Sequence, residues 1–112
     1  MILKELLKDV EVLEICGDSN IEINNIHFDS RKVRGKDMFI ALTGTREDGN
    51  RYIDSAINNG ACIIVSNKKP EGLIKEITYV ITKDTHDALA IIASNYYNRP
   101  SDKLKLIGVT GT

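Results

Sequence analysis

Tryptophan is absent, and two phenylalanines and four tyrosines are all that a chain of 112 residues carries of the larger aromatics. So thin a set argues against a surface on which nucleic-acid bases stack. Net charge is missing too. Fifteen Lys and Arg face sixteen Asp and Glu, leaving −1, so no global basic field draws the chain to nucleic acid or anionic lipid. No apolar run approaches the roughly 18 residues that a membrane-crossing helix needs. Cysteine is confined to Cys16 and Cys62. Both sit in apolar segments without C-x-x-C spacing, and they read as reduced, buried thiols of a cytoplasmic protein. His27 and His86 have no ligand-like spacing to either cysteine, so no metal site is expected. Internal repeats and low-complexity stretches are also lacking. The length fits one domain, able to bury roughly two-thirds of its unfolded surface.

What is present is an alternation of helix and strand patterns. M-I-L-K-E-L-L-K-D-V puts Leu3, Leu6, Leu7 and Val10 at helical spacing among charges, which predicts a first helix rather than a signal peptide. V-L-E-I-C-G reads as a strand closed by Gly17, followed by a turn at Asp18-Ser19-Asn20. Loose alternation predicts a strand from about Ile21 to Phe28. Residues Val33 to Asp37 read as a turn, and Met38 to Leu42 as a short buried strand. T-G-T-R-E-D-G-N, Thr43 to Asn50, is a polar loop. Ile53, Ala56 and Ile57 mark a helix that stops at Gly60. A-C-I-I-V-S and I-T-Y-V-I-T are the next strands. A helix from Asp84 or Thr85 carries Ala88, Leu89, Ile92, Ala93 and Tyr96 on one face, with Asp87 suiting its dipole. Arg99-Pro100-Ser101 breaks that helix, and Lys103 to Val109 forms a last strand. The expected fold is α/β, a small mixed sheet with flanking helices, with a βαβ unit joining Met38–Leu42 to Ala61–Ser66. A domain boundary is expected between Asn98 and Asp102.

Three stretches carry candidate chemistry. L-K-L-I-G-V-T-G-T, Leu104 to Thr112, runs a strand into Gly108 as a glycine-rich phosphate loop would begin. The full loop needs G-x-x-x-x-G-K-[S/T], so that free amides cradle phosphate and lysine neutralises it. From the residues alone a plain turn serves as well. Asp29-Ser30-Arg31 follows a strand, where a short hydroxyl side chain can face a ligand; the plainer alternative is a turn in which Arg31 pairs with Asp29. Gly44 to Gly49 bounds a loop that can present backbone amides to an anion or a base edge, although Asp48-Gly49 also reads as a simple turn into the next helix. The cluster Arg31, Lys32, Arg34 and Lys36 reads as a solvated turn in a chain without net positive charge. Tyr96 and Tyr97 read as core edge rather than a stacking platform. No anchored pair of carboxylates suggests general acid–base work.

The ordered set F-D-S-R, G-K-D-M-F-I-A-L, G-T-R-E-D-G and N-N-G-A, Phe28 to Ala61, resembles the N-terminal domain of the Mur ligases, which build the peptide stem of peptidoglycan. The tail, with Y-Y-N-R-P-S leading to G-V-T-G-T, is most similar to the family member that adds a diamino acid, meso-diaminopimelate or L-lysine, to UDP-N-acetylmuramoyl-L-alanyl-D-glutamate. The resemblance implies that residues 1–101 are the domain that anchors the UDP part of that substrate. Residues 102–112 would then open an ATP-binding domain, with Thr110, Gly111 and Thr112 as the start of its phosphate loop and the remaining central and C-terminal domains beyond. It implies substrate contacts from Ser30, from Phe28 by its main chain, and from Thr45, Arg46 and Glu47. The last three depart from the H-Q-A-like pattern of the relatives, which favours main-chain contacts there. ATP and Mg²⁺ would serve the parent ligase and not this piece, which is expected to lack ligase activity, to bind neither nucleic acid nor membrane, and to carry no catalytic residue. The alternatives are the corresponding domain of the D-Ala-D-Ala-adding ligase and a free-standing nucleotide-binding module.

Overall fold

The structure, a computed structural model, describes residues 2–42 and 52–97. In chain order these form α1 (Leu3–Leu6), β1 (Val12–Cys16), β2 (Ile26–His27), a 3-10 turn (Ser30–Lys32), β3 (Met38–Ile40), α2 (Ile53–Asn58), β4 (Ile63–Ser66), β5 (Thr78–Thr82) and α3 (Thr85–Tyr97). The strands make one mixed sheet in the order β1-β5-β4-β3-β2. β2, β3, β4 and β5 run parallel, and β1 is antiparallel to β5 at the far edge.

The sequence dictates this layering. β3, β4 and β5 are buried along their whole length, as uninterrupted apolar runs require when both faces of a sheet are covered. Side-chain alternation then sorts the strand residues into two cores. Met38, Ile40, Ile63, Val65 and Val80 pack with Leu3 and Leu6 of α1 and with Ala88 and Ile92 of α3. Phe39, Ile64, Tyr79 and Ile81 pack on the opposite face with Val33, Ile53 and Ala56. The sheet therefore separates an α1/α3 layer from a layer made of α2 and the 3-10 turn.

The expected βαβ unit is present as β3–α2–β4. Asp84 caps α3, its Oδ1 accepting from the His86 and Asp87 amides at 2.9 and 3.3 Å. α2 ends at Gly60, whose φ of +116° is a left-handed value that glycine alone adopts without strain. Its carbonyl accepts from the Lys36 amide at 3.0 Å, joining the end of α2 to the turn before β3.

Other expectations are corrected. The first helix is a single turn, not a run to Val10. Leu3, Leu6 and Leu7 are buried as their spacing requires, but Asp9 at φ +70° turns the chain away. Asn95 Nδ2, from α3, donates to the Leu6 and Lys8 carbonyls. The strand expected over Ile21 to Phe28 shrinks to Ile26–His27. Its first half pairs elsewhere: Ile21 accepts from the Leu3 amide, and Asn24 donates to Lys36 before Asn25 reaches β3. Both cysteines are free and half-buried rather than buried. Tyr96 lies at the core edge, whereas Tyr97 is 78% exposed. Among the described residues no helix is long and apolar enough to cross a membrane. The Arg99–Ser101 break, the last strand and the proposed domain boundary lie outside the described residues.

Candidate functional site

β2 delivers the chain to the site. Phe28 follows its last residue and is 61% exposed, a large apolar side chain left in solvent. Asp29 then caps the 3-10 turn, its Oδ1 accepting from the Arg31 amide at 3.0 Å. The same carboxylate takes two bonds from the Arg31 guanidinium, at 3.1 Å from Nε and 2.9 Å from Nη2. The turn in which Arg31 pairs with Asp29 is thus realised, with Ser30 between them. Ser30 is only 7% exposed. Its carbonyl accepts from Asn59 Nδ2 at 2.8 Å, so the residue is pinned from α2. Among the described residues no hydrogen bond engages its hydroxyl.

Phe28, Asp29, Ser30 and Arg31 form one wall of a cavity of about 620 Å³, and Tyr52, Ser55 and Asn59 form the other. It lies beyond the C-terminal end of β2, where open parallel sheets receive ligands. Two aromatic rings, two serine hydroxyls and one amide suit a flat polar heterocycle. The Asp29–Arg31 pair at the rim carries no net charge. A second concavity of about 480 Å³ is lined by Asp9, Glu11, Asp84 and Asp87 against Lys83. That balance repels a polyphosphate, so the first cavity is the better match for an anionic nucleotide.

The Arg31 side-chain hydrogen bonds, then the bond from its backbone amide, hold the Asp29 carboxyl down to about 2. A depressed carboxylate pKa stabilises the fold above the unfolded value, and that contribution is lost as pH falls through the folded one. Here the loss runs from near pH 4 to about 2. We expect a carbon-detected NMR titration of Asp29 to show its midpoint near 2. Arg31→Met should move it upward but not fully back, since the backbone bond remains. An unshifted midpoint in that variant would show that the guanidinium does not act on Asp29.

Of the residues read from the sequence, Phe28 and Ser30 meet at this cavity. Thr45, Arg46 and Glu47, and likewise Thr110, Gly111 and Thr112, lie outside the described residues. Arg31, Lys32, Arg34 and Lys36 are exposed, as a solvated turn requires. Tyr52, Ser55 and Asn59 were not anticipated. Their spacing of three and four places them on one face of α2 and its flanks, beside the buried Ile53 and Ala56. That polar stripe was available as a signal. Among the described residues no group of three His, Cys, Asp or Glu side chains could hold a metal ion.

The chain and its fold have relatives among known proteins. The profile described as "Mur ligase family, catalytic domain" matches residues 22–97. The UDP-N-acetylmuramoyl-L-alanyl-D-glutamate–2,6-diaminopimelate ligase of Clostridium tetani is 48% identical over 114 residues, covering 100% of this chain and 24% of the relative. Its namesake from Bacteroides thetaiotaomicron is 43% identical, covering 100% and 23%. The chain thus spans about a quarter of the length of these curated relatives. A crystal structure of MurF from Acinetobacter baumannii superposes with a TM-score of 0.73 at 22% identity, over 89% of this chain and 21% of that one. MurF from Thermotoga maritima, solved in complex with ADP, gives a TM-score of 0.54 at 31% identity, over 62% and 16%. With a family profile covering most of its length, and the fold of two solved members, this chain belongs to the Mur ligase family.

Proposed function

We propose that residues 1–101 are the domain of a MurE-type ligase that holds the UDP end of UDP-N-acetylmuramoyl-L-alanyl-D-glutamate. The observation that carries this reading is the cavity that joins Phe28 and Ser30 to Tyr52, Ser55 and Asn59. The uracil ring lies between the Phe28 and Tyr52 rings, and the Ser30 hydroxyl donates to a uracil or phosphate oxygen. Thr45, Arg46 and Glu47 complete the grip through their backbone amides. The diaminopimelate-adding relatives support the diamino acid over D-alanyl-D-alanine as the group added, since the A. baumannii MurF likeness carries the fold alone.

In the parent reaction ATP phosphorylates the D-glutamate carboxylate and leaves as ADP. The amino group of the diamino acid then attacks the acyl phosphate, forming the amide and releasing phosphate. Residues 102–112, with Thr110, Gly111 and Thr112, open the ATP-binding domain in this reading, where ATP would bind as its Mg²⁺ complex. No step assigned to the described residues runs through a metal. They contribute binding far from the reacting carboxylate, and this keeps it in place. ATP and a nucleotide-linked sugar assign the reaction to the cytoplasm.

Titration with UDP tests the site. Amide NMR signals of Phe28, Ser30 and Tyr52 should move on addition of UDP, and Ser30→Ala should weaken binding about fivefold, the cost of one ordinary hydrogen bond. Unmoved signals at all three residues would end this reading of the cavity.

A further inference from the structure

Asp37 closes the turn before β3 and does not line the cavity. It is 1% exposed. A buried carboxylate is costly unless its acceptor sites are filled, and three groups surround this one. The Asn25 amide donates to Oδ1 at 3.1 Å, and the Arg34 amide donates to Oδ2 at 2.8 Å. His27 Nε2 lies 3.3 Å from Oδ2. These three groups flank the segment Phe28–Val33, two just before it and one just after. One side chain therefore ties both ends of the loop that presents Phe28 and Ser30.

The anchor is itself fixed. The Asp37 amide donates to Arg34 O at 3.2 Å, and its carbonyl accepts from the Cys62 amide at 3.0 Å, at the entry to β4. The free span of the loop is held at its middle by Asn59 through the Ser30 carbonyl. Removing Asp37 would leave the loop held at that point, through the short β2 ladder and by the buried Val33 side chain, without a direct tie between its two ends.

We propose that Asp37 is the positioning residue of the nucleotide-binding loop: it touches no ligand, and it sets the separation of the loop's two ends so that Phe28 and Ser30 face the cavity. The inference rests on the reading that this loop binds the UDP tail. An aspartate is needed because both its oxygens accept. Asparagine at 37 would turn an NH₂ toward the Asn25 or the Arg34 amide and lose that tie. The binding-competent loop becomes a fraction of the ensemble, and the apparent Kd rises by the inverse of that fraction.

The test uses the full natural protein that carries this chain, with UDP as the probe, in calorimetry at a temperature where circular dichroism shows each variant folded. Asp37→Asn should raise the Kd for UDP about tenfold with one site per molecule retained. A merely structural role would instead lower the number of competent sites and leave the Kd of the folded molecules unchanged. His27→Gln alters one of the three groups at a half-exposed position and serves if Asp37→Asn does not fold; it should raise the Kd about two- to threefold. An unchanged Kd in the folded variants, with Ser30→Ala still weakened, overturns the positioning role alone. Failure of the wild-type protein to bind UDP overturns both this role and the reading of the cavity.

Discussion

Gly60→Ala is expected to destabilise the protein by about 3 kcal/mol, near the upper end of what single substitutions do. Two costs combine. At φ +116° any L side chain is strained. A Cβ there would also stand 2.8 Å from the Gly35 nitrogen and 2.9 Å from both the Arg34 carbonyl carbon and the Gly35 Cα. These are backbone atoms and cannot swing aside. The turn they form is itself fastened, by the Lys36 amide on the Gly60 carbonyl and by Asp37 on the Arg34 amide. Urea unfolding should show a lower midpoint with an unchanged slope. Gly72→Ala is the control, because nothing lies within 4 Å of its added Cβ; it should stay within about 0.5 kcal/mol of wild type. Equal stability of the Gly60 variant and the wild type would mean that the α2–β3 junction is far softer than its contacts indicate.

Phe39→Ala should cost about 4 kcal/mol, the usual price of deleting a buried aromatic side chain. Phe39 is a fully buried member of the core shared by Val33, Ile53, Ala56 and Tyr79. Val33 ends the 3-10 turn and Ile53 begins α2, so the cavity walls rest on this layer. The variant should therefore lose affinity for UDP as well as stability. Ile40→Ala makes the comparison. Ile40 is the next residue of β3 and faces the α1/α3 layer, so its removal should cost roughly 2–5 kcal/mol while leaving the UDP affinity of folded molecules unaltered. Thermal unfolding and UDP titration of the pair separate the two layers. If both substitutions change affinity alike, the layers are not mechanically independent.

The parts of the fold legible in the sequence are those whose signal is local and redundant. β3, β4 and β5 are short apolar runs buried on both faces, and α3 has a cap, a periodic face and thirteen residues. β2 and α1 were misjudged because their limits depend on distant partners: Asn24 bonds to Lys36, and Asn95 holds the carbonyls at the end of α1. Ser30 was accessible as a hydroxyl after a strand, and Phe28 through the family resemblance. Tyr52, Ser55 and Asn59 form a polar stripe legible from spacing, but their meeting with Ser30 needed the three-dimensional placement of α2 beside the 3-10 turn. Asp37 could be seen as part of a motif, but nothing in the order of residues reveals which amides its oxygens accept.

β2 is the outermost strand on its side of the sheet and pairs with β3 through two residues, Ile26 and His27. So slender an attachment makes the margin of the sheet the place where opening needs the least free energy, well below that of global unfolding. Solvent exchange of the Phe28–Arg31 amides should outpace that of β4 and β5, and occupancy by a nucleotide should slow it selectively. If the loop holds a UDP tail as proposed, its departure would have a route through local breathing of the rim, with the three central strands remaining as a stationary platform.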